Sequence, residues 1–121
     1  MTTQQVADRL VELCRMGKIF ETQEELYADE IVSIEPDMAP VKEVKGKQAL
    51  YEKGKMFEAM VEEHHSVSIS DPIVAGSCFA INWIMDTTMK GRGRMQMEEI
   101  CVYQVKDGKI ILEQFILILK K

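Results

Sequence analysis

Apolar residues recur along this chain in two rhythms, and the change from one to the other falls near Val61. Before it the spacing is helical. Val6, Leu10, Leu13 and Cys14 stand at i, i+4, i+7 and i+8, one face of a helix. Thr2 with Gln5 forms a capping box at its start, and Gly17 fits the left-handed position just past its end. A second capping box, Thr22 with Glu25, predicts a short helix running to about Ala28. A short strand is expected over 31–35, broken by Pro36, Asp37 and Pro40. Gly46 precedes a third helical stretch with Leu50, Phe57 and Met60 on one side. Gly54 inside it costs about 1 kcal/mol against alanine and suggests the close approach of another backbone.

Beyond Val61 the period is two. His65, Val67 and Ile69 alternate with Ser66, Ser68 and Ser70, which is strand patterning and places His65 and Glu63 on the side of Val67. Long strands are expected over 77–89, 94–106 and 109–119. The first two are joined by a turn at Gly91-Arg92-Gly93 and the last two by Asp107-Gly108, a strong signal for a two-residue hairpin. That turn implies a register in which Val105 faces Ile110, Tyr103 faces Leu112, Cys101 faces Gln114 and Glu99 faces Ile116. The other face then pairs Val102 with Glu113 and Ile100 with Phe115. The expected fold is α+β: three helices from the N-terminal half packed on a strongly curved, mostly antiparallel sheet, in a single domain over 1–121. Both faces of the sheet are apolar and helices cover only one, so a homodimer is expected.

Composition narrows the functions. A net charge of −5 argues against a nucleic acid partner, which calls for clustered Lys and Arg. No apolar run approaches the length of a membrane span, and the polar N-terminus has no secretory pattern, so a cytoplasmic protein is expected. Cys14, Cys78 and Cys101 are far apart, which speaks against a zinc site or a disulfide framework, and neither metal nor cofactor is expected.

Several segments have a familiar order. Tyr27-Ala28-Asp29-Glu30 precede a strand ending in Glu35-Pro36, and Gly46-Lys47 open the third helix. Trp83 and Asp86 lie in a long strand, and residues 102–110 form the final hairpin. Over nearly the whole chain this order resembles the NTF2-like superfamily and, within it, the SnoaL-like proteins. The resemblance implies a cone-shaped sheet wrapped by helices around an apolar pocket, usually in dimers. The superfamily includes ketosteroid isomerases, polyketide cyclases, limonene-epoxide-hydrolase-like enzymes and non-catalytic modules. The implied ligand is a small, partly apolar organic molecule, and the implied chemistry proton transfer, as in isomerisation or aldol-type cyclisation. Binding without turnover, or protein interaction as in nuclear transport factor 2, is the alternative.

The candidate catalytic residues are Glu35, Glu99 and His65. Glu35, immediately before a proline, matches the proton-shuttling base of the isomerases, and an apolar pocket would raise its pKa. Glu99 stands in an apolar stripe with Met97, Cys101 and Tyr103, near the protonated acid of those enzymes after a one-residue shift. The first helix has no tyrosine to complete their oxyanion hole. His65 is a candidate acid or base near neutral pH. Trp83, Asp86, Tyr103, Glu63, Met97 and Phe57 are candidate ligand-binding residues. Trp83 and Asp86 point to opposite faces: a two-residue loop before the next strand puts Asp86 on the side of Glu99, a three-residue loop puts Trp83 there.

Overall fold

A computed structural model describes residues 1–37 and 39–120, with the backbone alone for Leu119 and Lys120. Helix α1 (Thr3–Arg15) starts at the expected capping box: the Thr2 hydroxyl accepts the Gln5 N–H at 3.1 Å and the Gln5 side chain accepts the Thr2 N–H at 2.9 Å. Gly17 follows its end with φ of 76°, a left-handed conformation that suits glycine. Helix α2 (Ile19–Leu26) begins earlier than expected, and the second capping box does not form. Thr22 lies inside the helix, its hydroxyl donating to the Lys18 carbonyl at 2.7 Å, while Glu25 pairs with Arg9 of α1. Tyr27 and Ala28, expected at a helix end, open strand β1 (Tyr27–Ile34) instead.

A short strand β2 (Glu43–Lys45) leads through Gly46 into α3 (Lys47–Met60). A Cβ on Gly54 would stand 2.8 Å from the Phe20 ring, so the close neighbour is a side chain of α2 rather than a backbone. Then come β3 (Val61–Ile69), β4 (Ile73–Ala75), β5 (Cys78–Met89), β6 (Gly93–Lys106) and β7 (Lys109–Lys120). The sheet order is β2-β1-β7-β6-β5-β3, with β4 beside β5; β1 runs parallel to β7 and the other pairs are antiparallel. It is the curved, unclosed α+β sheet that the sequence predicts.

The final hairpin turns as expected: Asp107 and Gly108 both have positive φ, 52° and 76°, and Val105 pairs with Ile110. Immediately beyond, the expected register fails. Gln104 pairs with Leu112, leaving Ile111 as an extra residue in β7. Tyr103 therefore faces Glu113 rather than Leu112, Cys101 faces Phe115 rather than Gln114, and Glu99 faces Leu117 rather than Ile116. On the reverse side Val102 meets Gln114 and Ile100 meets Ile116. A slip of one residue exchanges the two faces of a strand, so Glu113 turns inward. Between β5 and β6 the loop has three residues, Met89 pairing with Gly93, and Trp83 lies opposite Glu99.

The odd-numbered face of β5 and β6 is the helix side. Phe79, Ile81, Cys101, Tyr103 and Val105 pack there with Val6 and Leu10 of α1 and Ile110 of β7. Phe79 stacks on Tyr103 with ring centroids 4.8 Å apart. Each such large apolar side chain contributes about 1.5–3 kcal/mol by burial. The convex face exposes Ile100, Val102, Ile116 and Ile118.

Candidate functional site

Beyond the apolar end of the concave face, the same face carries carboxyl groups. Glu113 is the deepest, at 3% exposure. Its Oε1 accepts the Tyr27 hydroxyl in a short hydrogen bond, and its Oε2 accepts the Ser33 hydroxyl at 2.9 Å. Ser33 is the direct cross-strand neighbour of Glu113 in the parallel β1–β7 pair, so the bond follows from register. Burial pushes the Glu113 carboxyl above the usual range and the charge of Glu35 adds to it, while the two hydroxyls and Lys53 oppose them. Burial likewise pushes up the Tyr27 phenol, reinforced by Glu113.

Glu35 follows β1 two residues beyond Ser33 and so points to the same side. Its side chain is 9% exposed and pairs with the Lys53 ammonium, which α3 supplies. The Ser33 hydroxyl is 3.4 Å from Glu35 Oε1. The ammonium also lies 5.2 Å from the centre of the Phe115 ring, which favours a cation over its face.

Glu99 stands on β6 between Met97 and Cys101. Burial pushes its carboxyl up to about 7; the Cys101 thiol, 3.8 Å away, lowers it, and the charges of Glu113 and Glu35 raise it against Lys53. A carboxyl half-protonated at neutral pH can either give or take a proton. Cys101 is pushed far up by burial and by Glu99, so it remains a thiol and is a poor nucleophile.

The structure thus brings Glu35 and Glu99 to one face and adds Tyr27, Ser33, Lys53 and Glu113 to them. Glu113 escaped the sequence reading because of the bulge. The signal was the run Ile110-Ile111-Leu112, three apolar residues where strict alternation allows two. Trp83, Met97 and Tyr103 lie on the same concave face; Tyr103 is fully packed, whereas Trp83 and Met97 are half-buried. Phe57 is half-buried on α3.

The remaining candidates lie elsewhere. β3 carries register shifts on both sides of the Glu63–His64 pair, and the second makes His65 an extra residue. His65 Nε2 sits 2.7 Å from Thr88 Oγ1, and Nδ1 lies 3.4 Å from Glu63. Thr88 shares the convex face with Asp86, whereas Val67 pairs with Met85 on the concave side, so the expectation that His65 and Glu63 share a side with Val67 is overturned. Asp86 is also convex, held by Arg94 at 2.9 and 3.1 Å, because the three-residue loop turns Trp83 rather than Asp86 toward Glu99. His64 takes the helix side and meets Glu58 of α3 at 3.0 Å. Among the described residues no three His, Cys, Asp or Glu side chains stand together as a metal site would require. Two surface depressions, of about 410 and 250 Å³, are lined by α1 residues with Met1 and by Phe20, Lys47, Tyr51 and their neighbours; neither includes Glu35, Glu99 or Glu113. Among the described residues no helix is long and apolar enough to cross a membrane.

Comparison with known proteins adds to this geometry. The SnoaL-like domain family matches residues 1–117. A solved structure from Mesorhizobium loti, described as a candidate SnoaL-like polyketide cyclase, is 35% identical with a TM-score of 0.90, covering 95% of this chain and 98% of that one. IdmH, a candidate polyketide cyclase from Streptomyces antibioticus, is 18% identical with a TM-score of 0.75, over 97% and 92% of the two chains. An NTF2-like protein of unknown function from Burkholderia pseudomallei is 12% identical with a TM-score of 0.77, over 95% and 90%. The last two share the fold alone. No curated protein matches the sequence.

Proposed function

The chain belongs to the SnoaL-like family, and we propose that it binds a small, partly apolar organic molecule on its concave face and moves a proton on it. The observation that carries this reading is the placement of Glu35 and Glu99 on one face, with Glu99 poised near neutrality among apolar neighbours. Trp83, Met85, Met97 and Phe115 are half-buried there and offer apolar surface to a ligand. Glu35, paired with the Lys53 ammonium, takes a proton from the carbon beside a carbonyl. The electron pair left behind moves onto the carbonyl oxygen, which the protonated Glu99 stabilises by a hydrogen bond. Return of the proton at another carbon gives an isomer; attack by the enolate on a second carbonyl gives a ring.

The test is deuterium uptake from D2O, followed by NMR, into a panel of cyclic 1,3-diketones and β,γ-unsaturated ketones. Uptake faster than buffer, abolished in Glu35→Gln and reduced in Glu99→Gln, is expected. Ligand-induced shifts with no uptake across the panel would leave a binding protein without turnover; neither shifts nor uptake would overturn the reading.

The same family membership supports a homodimer through the convex face. Ile116 and Ile118 are 55% and 57% exposed there, beside Ile100 and Val102, an apolar stripe of the kind that a second copy covers. A mass of two chains by light scattering at micromolar concentration, falling to one chain in Ile118→Lys, is the expected result. A single-chain mass for the native protein would contradict it.

A further inference from the structure

The hydroxyl of Ser33 has one proton and two carboxylate neighbours. It lies 2.9 Å from Glu113 Oε2 and 3.4 Å from Glu35 Oε1, so as a donor it serves only one of them at a time. The second oxygen is satisfied if one carboxyl group is itself protonated and donates to the serine. Glu113 is the group placed to hold that proton. It is almost wholly buried, its other oxygen already accepts from Tyr27, and its strand neighbour Ser33 is fully buried too. Glu35, by contrast, has the Lys53 ammonium directly on it.

From this geometry we infer that Glu113, Ser33 and Glu35 form a proton relay, in which one proton is shared between a buried carboxyl group and the carboxyl group that meets the ligand. With the proton on Glu113, the Ser33 hydroxyl turns from Glu113 Oε2 toward Glu35, and the Glu113 O–H donates to Ser33 Oγ. In the transfer the Glu113 O–H bond breaks and its proton bonds to Ser33 Oγ. The serine's own proton passes to Glu35 Oε1. Glu113 becomes a carboxylate, held by the Tyr27 hydroxyl and Ser33, and Glu35 becomes an acid. Charge and proton count are unchanged, and no water is needed.

Lys53 sets the direction. It is paired directly with Glu35, whereas Glu113 feels only its charge, so while seated it favours the proton on Glu113 over Glu35. Its side chain is 39% exposed and ends over the Phe115 ring, so a ligand arriving at this face meets it. A ligand that displaces Lys53 takes away the cation paired with Glu35 and draws the proton across. The other groups facing Glu113 are Glu99, Cys101 and Tyr103 on β6 and Cys14 on α1. Both thiols and Tyr103 are pushed up by burial and stay neutral, so they do not compete for the shared proton. Glu99 is the neighbour whose carboxyl burial pushes up to about 7, with the charges of Glu113 and Glu35 adding to the rise. The purpose of the relay, switching Glu35 between base and acid, rests on the proton-transfer reading above; the shared proton itself does not.

The test is a pH titration of the intact protein with ¹³Cδ-labelled glutamate, in the background Glu99→Gln to remove the third carboxyl. In that protein the Glu35 and Glu113 carbons are expected to move together, each showing both titration steps. Ser33→Ala should separate them so that each carbon shows one step, and Ser33→Thr, which keeps the hydroxyl, should restore the shared curves. Lys53→Met should move the protonated-carboxyl signal from the Glu113 carbon toward the Glu35 carbon. Independent single-step curves with Ser33 present would overturn the relay, whether or not the alanine variant folds. So would shared curves that persist in Ser33→Ala. The deuterium-uptake assay is separate: uptake with independent carboxyl curves sinks the relay alone, and shared curves without uptake sink the proton-transfer reading alone.

Discussion

The concave face of the sheet has two ends that differ in what they bury. At one end Phe79, Tyr103, Val105 and Ile110 meet Val6 and Leu10 of α1, and the Phe79 and Tyr103 rings stack. Toward the other end, Glu113 lies across from Tyr103 and Glu99 four residues before Tyr103 on β6, with Glu35, Ser33 and Lys53 beside them. The apolar end is close-packed and its contribution is independent of pH. The carboxyl end gives up that independence: burying a carboxyl group costs free energy unless it is protonated or hydrogen-bonded, and here both remedies are used. One face thus anchors the fold at one end and buries carboxyl groups at the other.

Substitutions at the two ends sharpen that contrast. Phe79→Ala should have the largest effect, a loss of about 4 kcal/mol in urea unfolding from a fully buried ring. The loss should be the same at pH 5 and pH 8. Glu99→Gln should do the reverse. The folded protein binds the Glu99 proton more tightly than the unfolded chain, with a pKa of about 7 against 4.5. Its stabilisation is therefore complete below pH 4.5 and is lost as the pH rises to about 7, by on the order of 3 kcal/mol. The glutamine variant lacks this loss, so relative to the native protein it should gain stability across that window and be the more stable at pH 8. A difference between the two melting curves that does not change with pH would break the contrast.

Tyr27→Phe should cost about 2 kcal/mol, because one oxygen of a buried carboxyl group loses its donor. It should also raise the Glu113 pKa further, since the Tyr27 hydrogen bond lowers it. The smallest effect is expected at Arg94→Ala, which removes the partner of Asp86 on the convex face. This pair is open to solvent and screened by salt, and the melting temperature in 0.15 M salt should stay within measurement error.

The sequence makes the fold legible because helices and strands have different periods and because a few turn residues are decisive. Thr2 with Gln5, Gly17 and Asp107-Gly108 each behave as their chemistry requires. Thr22 with Glu25 misleads because the same residue types serve tertiary contacts: Thr22 bonds Lys18 and Glu25 pairs with Arg9. The site is only half legible. Glu35 and Glu99 can be found because a carboxylate before proline and a carboxylate in an apolar stripe are visible as patterns. Glu113 and His65 depend on which face a strand residue takes, and one extra residue reverses that. Ile111 sends Glu113 inward; the bulge at His65 sends the imidazole out to Thr88. Lys53 and Ser33 have no sequence signal, since their role exists only where α3 and β1 meet Glu35.

The most direct measurement of the proposed proton-transfer site is the titration of Glu99 itself, by its ¹³Cδ shift in the native protein without ligand. A midpoint close to 7 is predicted. A midpoint near 4.3, the value of an exposed glutamate, would mean that this end of the sheet is ordinary wet surface and would contradict the proposal.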